Sequence, residues 1–286
     1  MRENIAIIGS GPAGISAAIT AKLRNKSVLL FGSGGISGKV SRAHLIRNYP
    51  ALPDISGEQL AKALDEHLCL MEIPIRRERV TMVYSMGSYF AVQTSAGMYE
   101  ADRVILATGV VQERLLSGET ELLGKGVSYC ATCDAFLYRG RSVAVIGYSD
   151  EAAAEAEFLA DGCERVWYIP MKGAAAPERE NITVIRQKPL AVLGEGKVSA
   201  LKTDGGELSV DGVFILREAS LPQTLVPGIE VRDGHIVVDM QMRTNIDGCY
   251  ACGDVTGKPY QYIKAAGQGN VAALSAVADI PPQSAG

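Results

Sequence analysis

The sequence predicts an α/β fold with two Rossmann-like units. Three observations predict it. Apolar, β-rich runs alternate with helical segments along the chain, a glycine triplet lies between the first strand and the first helix, and a second strand-turn-helix frame recurs near the middle. The chain has 286 residues, 47% of them hydrophobic, and a formal net charge of −4, which fits an ordinary chain of about two domains. The acidic balance and lack of a long basic run exclude a non-specific nucleic-acid footprint. The apolar run Ile5 to Ile19 is broken by glycines and a proline, so it suits neither a membrane span nor a signal peptide, and a cytoplasmic protein is expected.

Taken in order, "NIAIIG" reads as a buried strand and "PAGISAAITAKL" as the helix after it. Between them Gly9, Gly11 and Gly14 have the G-x-G-x-x-G spacing of a nucleotide turn. Gly9 permits the sharp turn, Gly11 lets backbone approach a pyrophosphate, and Gly14 lets helix and strand pack closely, while the helix N-terminus offers amide donors. The next strand, "SVLLF", ends in Gly32 and Ser33, so the acidic residue that usually takes the ribose hydroxyls is missing there. "EQLAKALDEHLCLM" has helical amphipathicity and "RVILATG" reads as another buried strand. Downstream, "VAVIGYSDEAAAEAEFLA" repeats the strand, turn and helix, and "RVWYIPMKG" supplies a further strand. Near the end, "GCYACGDV" is a short strand running into Gly253 and Asp254, followed by a helix that starts near Gln261.

The six cysteines stand at 69, 130, 133, 163, 249 and 252, and in a long chain without a secretion signal they read as thiol chemistry rather than a disulfide framework. Cys69 and Cys163 are expected to be packing residues. Cys130 and Cys133, three apart at a helix start, share one face and can close a small reversible disulfide; half a zinc site or two buried thiols fit the same spacing. Cys249 and Cys252 lie on a strand, where residues three apart face opposite ways, so that pair reads as core. No metal site is expected. His44, His67 and His235 gain no catalytic role.

The set "GSGPAG", "NYP", "ATG", "YCATCD" and "GDV" resembles the low-molecular-weight thioredoxin reductases, flavoproteins that pass electrons from FAD to a protein disulfide. That resemblance implies FAD bound by Gly9, Gly11, Pro12, Ala13 and Gly14, by Asn48 and Val80, by Ala107, Thr108 and Gly109 on the adenosine side, and by Gly253, Asp254 and Gln261. It implies that Cys130 attacks the disulfide of thioredoxin, that Cys133 faces the flavin, and that Asp134 is the acid serving the exchanging thiol. It also implies a homodimer.

The second nucleotide turn departs from the NADPH-dependent members. It reads Gly147, Tyr148, Ser149, Asp150, Glu151, Ala152, with Ser149 in place of the glycine that admits a pyrophosphate and Glu151 adding negative charge. Pro170, Met171 and Lys172 stand where a His-Arg-Arg cluster would grip the 2′-phosphate, and the segment Gly173 to Glu180 is too short and too interrupted by Pro177 for the helix expected there. The stretches "CATCDAFLYRGRSVAVIGYS", "YIPMKG" and "GDVTGKPYQYIKAAGQGNVAAL" resemble most the ferredoxin-dependent flavin thioredoxin reductases, whose second site is degenerate in this way. The inserted domain is then a scaffold that carries the dithiol as a rigid body. Ferredoxin at about −400 mV and thioredoxin at about −270 mV leave a two-electron transfer roughly 6 kcal/mol downhill. A nicotinamide-dependent reductase and a flavin-binding module without turnover are the alternatives.

The resemblance implies two Rossmann-like domains, each a three-layer ββα stack, with the second inserted into the first: an FAD-binding domain over residues 1–112 and 216–286 and the dithiol domain over 113–215, with hinges near Gln112 to Leu116 and Arg217 to Pro222. Gly32 to Pro53 contains Lys39, Arg42 and Arg47 and no acidic residue, which nominates it as the docking surface for an acidic ferredoxin.

Overall fold

The computed structural model describes residues 2–32, 34–110, 115–148, 152–171, 177, 179–217 and 222–280. The chain divides into two units, Met1–Val110 with Leu221–Gly286, and Val111–Ser220.

The first unit begins with strand β1 (Glu3–Ile8), helix α1 (Pro12–Leu23) and strand β2 (Val28–Phe31), followed by a short helix α2 (Gly38–Ser41) and helix α3 (Gly57–Leu70). Pro12 at the first turn of α1 suits a position whose N–H has no helical partner. Ser56 and Gln59 form a reciprocal capping box at the start of α3. Strands β3 (Ile75–Arg76), β4 (Val80–Ser85), β5 (Phe90–Thr94) and β6 (Met98–Leu106) follow.

The second unit holds β7 (Val127–Ser128), α4 (Ala131–Asp134) with a 3₁₀ turn over Ala135–Tyr138, β8 (Ser142–Gly147), α5 (Ala152–Ala160), β9 (Arg165–Pro170), β10 (Ile182–Val184), β11 (Pro189–Leu193), β12 (Ala200–Thr203), β13 (Gly206–Ser209) and β14 (Gly212–Leu216). The chain then returns to the first unit with α6 (Pro222–Leu225), β15 (Val231–Arg232), β16 (His235–Ile236), β17 (Cys249–Ala251) and α7 (Tyr262–Ala278).

Both units follow one plan. In the first, β3, β2, β1, β6 and β17 run parallel, and the antiparallel β4 and β5 join the early half of β6. Alternation along β1 sends Ile5 and Ile7 into a core with α1, α3 and α7, and Ala6 and Ile8 into a core with the β4–β5–β6 meander. Small residues let α1 and α7 meet closely: a Cβ on Gly269 would stand 2.0 Å from the Ala13 carbonyl oxygen. In the second unit, β10, β9, β8, β14 and β7 are all parallel, α5 covers one face, and the antiparallel β11–β12–β13 covers the other.

The divide between the units falls at 110/111 and 220/221, where 112/113 and 215/216 are expected. Arg217, in the expected second hinge, is only 3% exposed and continues directly from β14 into a buried ion pair of the second unit. Residues 112–114 and 218–221 of the expected hinges lie outside the described residues. So do Ser33, Ser149, Asp150, Glu151, Lys172 and most of Gly173 to Glu180.

Candidate active site

In the first unit the turn after β1 is built by close contact. Gly9 has φ +117°, and a Cβ there would meet the Ala107 carbonyl oxygen at 2.2 Å; one on Gly14 would meet the Gly9 carbonyl oxygen at 1.8 Å. Gly11 differs, since its Cβ would touch only the Ser37 Cβ, at 3.8 Å. Gly11 is also the N-cap of α1, and no side chain caps it. Open space therefore lies over an uncapped helix start, which suits an anionic phosphate group. The absent acid after β2 has a local cause, because a Cβ on Gly32 would fall 2.2 Å from Ser10 Oγ, and Ser10 is buried and donates to the Gly35 carbonyl.

The structure brings the other candidate flavin residues to the same end of the sheet. Ala107, Thr108 and Gly109 follow β6, with the Ala107 amide donating to the Ile8 carbonyl at 2.8 Å. Gly253 and Asp254 follow β17 in a 3₁₀ turn, where Gly253 has φ +83° and a Cβ would press on Ala13 at 2.9 Å. Lys264 reaches back from α7 to donate to the carbonyls of Gly253 at 2.9 Å and Gly257 at 2.6 Å. Gln268 accepts the Gly253 amide at 3.0 Å. Burial raises the Asp254 carboxyl above its usual range, while Lys264, Lys39 and His235 act against that shift. Asn48 donates from its amide to Gln261, the N-cap of α7. Val80 is buried at the start of β4 within the meander-side core. Lys264 and Gln268 were missed by sequence reasoning; their one signal was helical spacing four apart behind the Gly253–Asp254 turn.

Lys39 lies in α2, half-buried, and donates to the Val110 carbonyl at 2.6 Å. Arg47 is ion-paired at 2.9 Å with Asp54, one residue beyond the acid-free segment. Asp54 therefore offsets one of the segment's three positive charges.

In the second unit Cys130 and Cys133 form a disulfide, with Cα atoms 5.4 Å apart. Cys130 is the N-cap of α4, and its sulfur accepts the Cys133 amide at 3.2 Å. Asp134 ends α4, and its Oδ2 accepts from Ser128 Oγ at 2.6 Å. The remaining thiols are separate. Cys249 and Cys252 belong to the cores on opposite faces of the first unit's sheet, and burial pushes both up to about 12. Cys163 is buried and raised by burial to about 11. Cys69, expected to pack, is exposed near the end of α3, because it falls on the helix face opposite Leu60 and Leu68. Among the described residues no cluster of three or more His, Cys, Asp or Glu could hold a metal ion.

The second unit's crevice holds a cluster that sequence reasoning missed. In open parallel sheets a dinucleotide lies beyond the carboxyl ends of the strands, at the point where the strand order reverses. Here that point lies between β8 and β14. Tyr148 follows β8, Arg217 follows β14 and Tyr129 follows β7. Arg217 grips Glu119 in a fork, Nη1 to Oε1 at 2.6 Å and Nη2 to Oε2 at 2.8 Å. Its guanidinium carbon is 5.4 Å from the centre of the Tyr148 ring and 5.8 Å from that of Tyr129. Glu119 also accepts from the Tyr129 hydroxyl at 2.9 Å and from the Leu116 amide at 2.8 Å. The side chains of Arg217 and Glu119 are 3% and 0% exposed.

The sequence model of the pyridine nucleotide-disulphide oxidoreductase family matches residues 3–269. The thioredoxin reductase of Treponema pallidum is 36% identical over 298 aligned positions that cover 97% of each chain. Two crystal structures of a ferredoxin-flavin thioredoxin reductase from Clostridium acetobutylicum superpose with TM-scores of 0.91 and 0.92, at 51% and 48% identity, each covering 97% of both chains.

Proposed function

Given that the chain belongs to the pyridine nucleotide-disulphide oxidoreductases, and within them to the thioredoxin reductases, we propose that it passes electrons from reduced ferredoxin, by way of FAD and the Cys130–Cys133 dithiol, to the disulfide of thioredoxin. The observation that carries the donor assignment is the buried Arg217–Glu119 pair at the strand ends. A nicotinamide dinucleotide would have to displace Arg217, Glu119 and the flanking Tyr148 from the strand ends, breaking a buried ion pair to enter. The likeness to the ferredoxin-flavin thioredoxin reductase of C. acetobutylicum supports the same donor.

FAD fits the first unit. The open space over Gly11 and the uncapped start of α1 would receive its pyrophosphate. Asp254 would accept from its ribityl hydroxyls, and Asn48 with Gln261 would lie along its ring. When bound, FAD supplies the adaptor between one-electron and two-electron chemistry. The second unit's residues do the rest. Cys130 attacks the thioredoxin disulfide; Cys133 resolves the mixed disulfide; Asp134 holds and returns the proton. No helix among the described residues is long and apolar enough to cross a membrane.

The test is anaerobic reduction of the bound flavin. Reduced ferredoxin should bleach it within seconds, and millimolar NADPH should not. Rapid stoichiometric bleaching by NADPH or NADH sinks the donor assignment. In Cys133→Ser, reduced thioredoxin should no longer bleach the flavin; transfer at the native rate would exclude the dithiol as the relay.

A further inference from the structure

We propose that Ser128 is a positioning residue for the thiol-disulfide step, acting through Asp134; this rests on the reading of Cys130, Cys133 and Asp134 just given. Ser128 lies on β7, two residues before Cys130, and is only 4% exposed. Its hydroxyl meets three groups of the dithiol turn at once. It donates to Asp134 Oδ2 at 2.6 Å, accepts the Cys130 amide at 3.1 Å, and lies 3.2 Å from the Cys130 carbonyl oxygen.

A hydroxyl carries one proton and two lone pairs, and that inventory matches both forms of the acid. With Asp134 ionised, the Ser128 proton points at its carboxylate. With Asp134 protonated, the carboxyl O–H donates to Ser128 Oγ, and the Ser128 proton turns to the Cys130 carbonyl. The amide of Cys130 occupies one lone pair in either case. In both forms the Ser128 proton and the Asp134 oxygen that faces it keep a partner, so the carboxyl keeps one position as its proton comes and goes.

The proton count closes over the exchange. Asp134 takes the Cys130 thiol proton, and the Cys130 thiolate attacks a sulfur of the partner disulfide, forming a mixed disulfide and expelling one partner thiolate. Asp134 returns its proton to that thiolate. Cys133 then attacks the Cys130 sulfur, closing the Cys130–Cys133 disulfide and expelling the second partner thiolate, to which the Cys133 proton passes. Two electrons and two protons leave the dithiol and arrive on the partner. Two other titratable groups flank the turn: Glu155 of α5 accepts the Ala131 amide at 3.4 Å, and Tyr138 of the 3₁₀ turn is near enough that, after burial, the Asp134 charge helps to raise its hydroxyl above the usual range.

The test is single-turnover exchange between the full-length enzyme, pre-reduced with dithiothreitol and freed of it, and oxidised thioredoxin. Ser128→Ala should slow the exchange about fivefold, the worth of one ordinary hydrogen bond, with the half-saturating thioredoxin concentration unchanged. Ser128→Thr, which keeps the hydroxyl, should return to within about twofold of the native rate. In an Asp134→Asn background, Ser128→Ala should cost less than about twofold more, because a residue acting through Asp134 has nothing left to position. A slow Asp134→Asn enzyme beside an unaffected Ser128→Ala enzyme overturns the inference alone. So does a full further loss in the double variant. A native rate in Asp134→Asn removes the acid assignment and the inference together.

Discussion

Replacing Arg217 with Met leaves Glu119 carrying a charge in a place that water does not reach, since its side chain is 0% exposed. Two of its donors survive, the Leu116 amide at 2.8 Å and the Tyr129 hydroxyl at 2.9 Å, but both are neutral. Removing one partner of a buried ion pair costs about 3–5 kcal/mol. Unfolding entropy is about 2.1 cal/mol/K per residue, so the roughly 110 residues of Val111–Ser220 would melt about 13–22 °C lower if that unit unfolds by itself. If the whole chain unfolds as one transition, the same loss lowers the melting temperature by about 5–8 °C. Replacing both partners, Arg217→Met with Glu119→Leu, removes the stranded charge and should recover most of the loss. Calorimetry on the flavin-loaded protein distinguishes the cases. A single variant that melts within about 2 °C of the native protein would refute the reasoning, as would a double variant no more stable than the single one.

Two glycine substitutions separate fold from cofactor: Gly9→Ala, which forces a Cβ against the Ala107 carbonyl, should lower both stability and flavin content, whereas Gly11→Ala, with only Ser37 at 3.8 Å, should lose flavin while melting as the flavin-free native protein does. Equal destabilisation of both flavin-free proteins would contradict this. Asp279 accepts from the Tyr250 hydroxyl and pairs with Arg243 at 3.1 Å; Tyr250 first and Arg243 after it hold the carboxyl below its usual range, against some desolvation. A depressed folded-state pKa stabilises above the unfolded value and the gain fades as pH falls through the folded one, so the deficit of Asp279→Asn should be full at neutral pH and close below about pH 4 in urea unfolding. A deficit that stays constant to pH 2 would contradict the linkage. Iodoacetamide at neutral pH should label Cys69 alone in the oxidised protein and add Cys130 and Cys133 after reduction, because burial holds Cys163 at about 11 and Cys249 and Cys252 at about 12. Mass spectrometry of the peptides reads this directly.

What was legible in the sequence was what a short segment encodes by itself. The spacing of Gly9, Gly11 and Gly14 and the opposite facing of Cys249 and Cys252 follow from local geometry, whereas the spacing of Cys130 and Cys133 allowed a disulfide, half a zinc site or two buried thiols, and only the resemblance chose between them. Glu119 and Arg217 lie 98 positions apart, and each by itself resembles any surface charge; only the parallel pairing of β7, β14 and β8 brings them together. Arg217 even read as a polar linker residue for that reason. Lys39 is similar, since composition reports its charge but not the Val110 carbonyl that receives it. Ser128 carries no pattern at all; its meaning comes from a hydrogen bond to Asp134 six residues on.

The long detour between β6 and β17 sets an order of assembly during synthesis. β17 is the partner of the later half of β6, and α7 supplies Ala265, Ala272, Ala273 and Ala276 to the core around α1. Both elements leave the ribosome last, after every strand of the dithiol unit. At about 5–20 residues per second, the exposed partner edge of β6 waits roughly 7–30 s for its neighbour. The contiguous unit can finish folding within that interval, so the nascent chain gains its thiol chemistry before it can retain a flavin. A ribosome stalled just short of residue 249 should therefore display a colourless chain whose Cys130–Cys133 pair already exchanges with a disulfide.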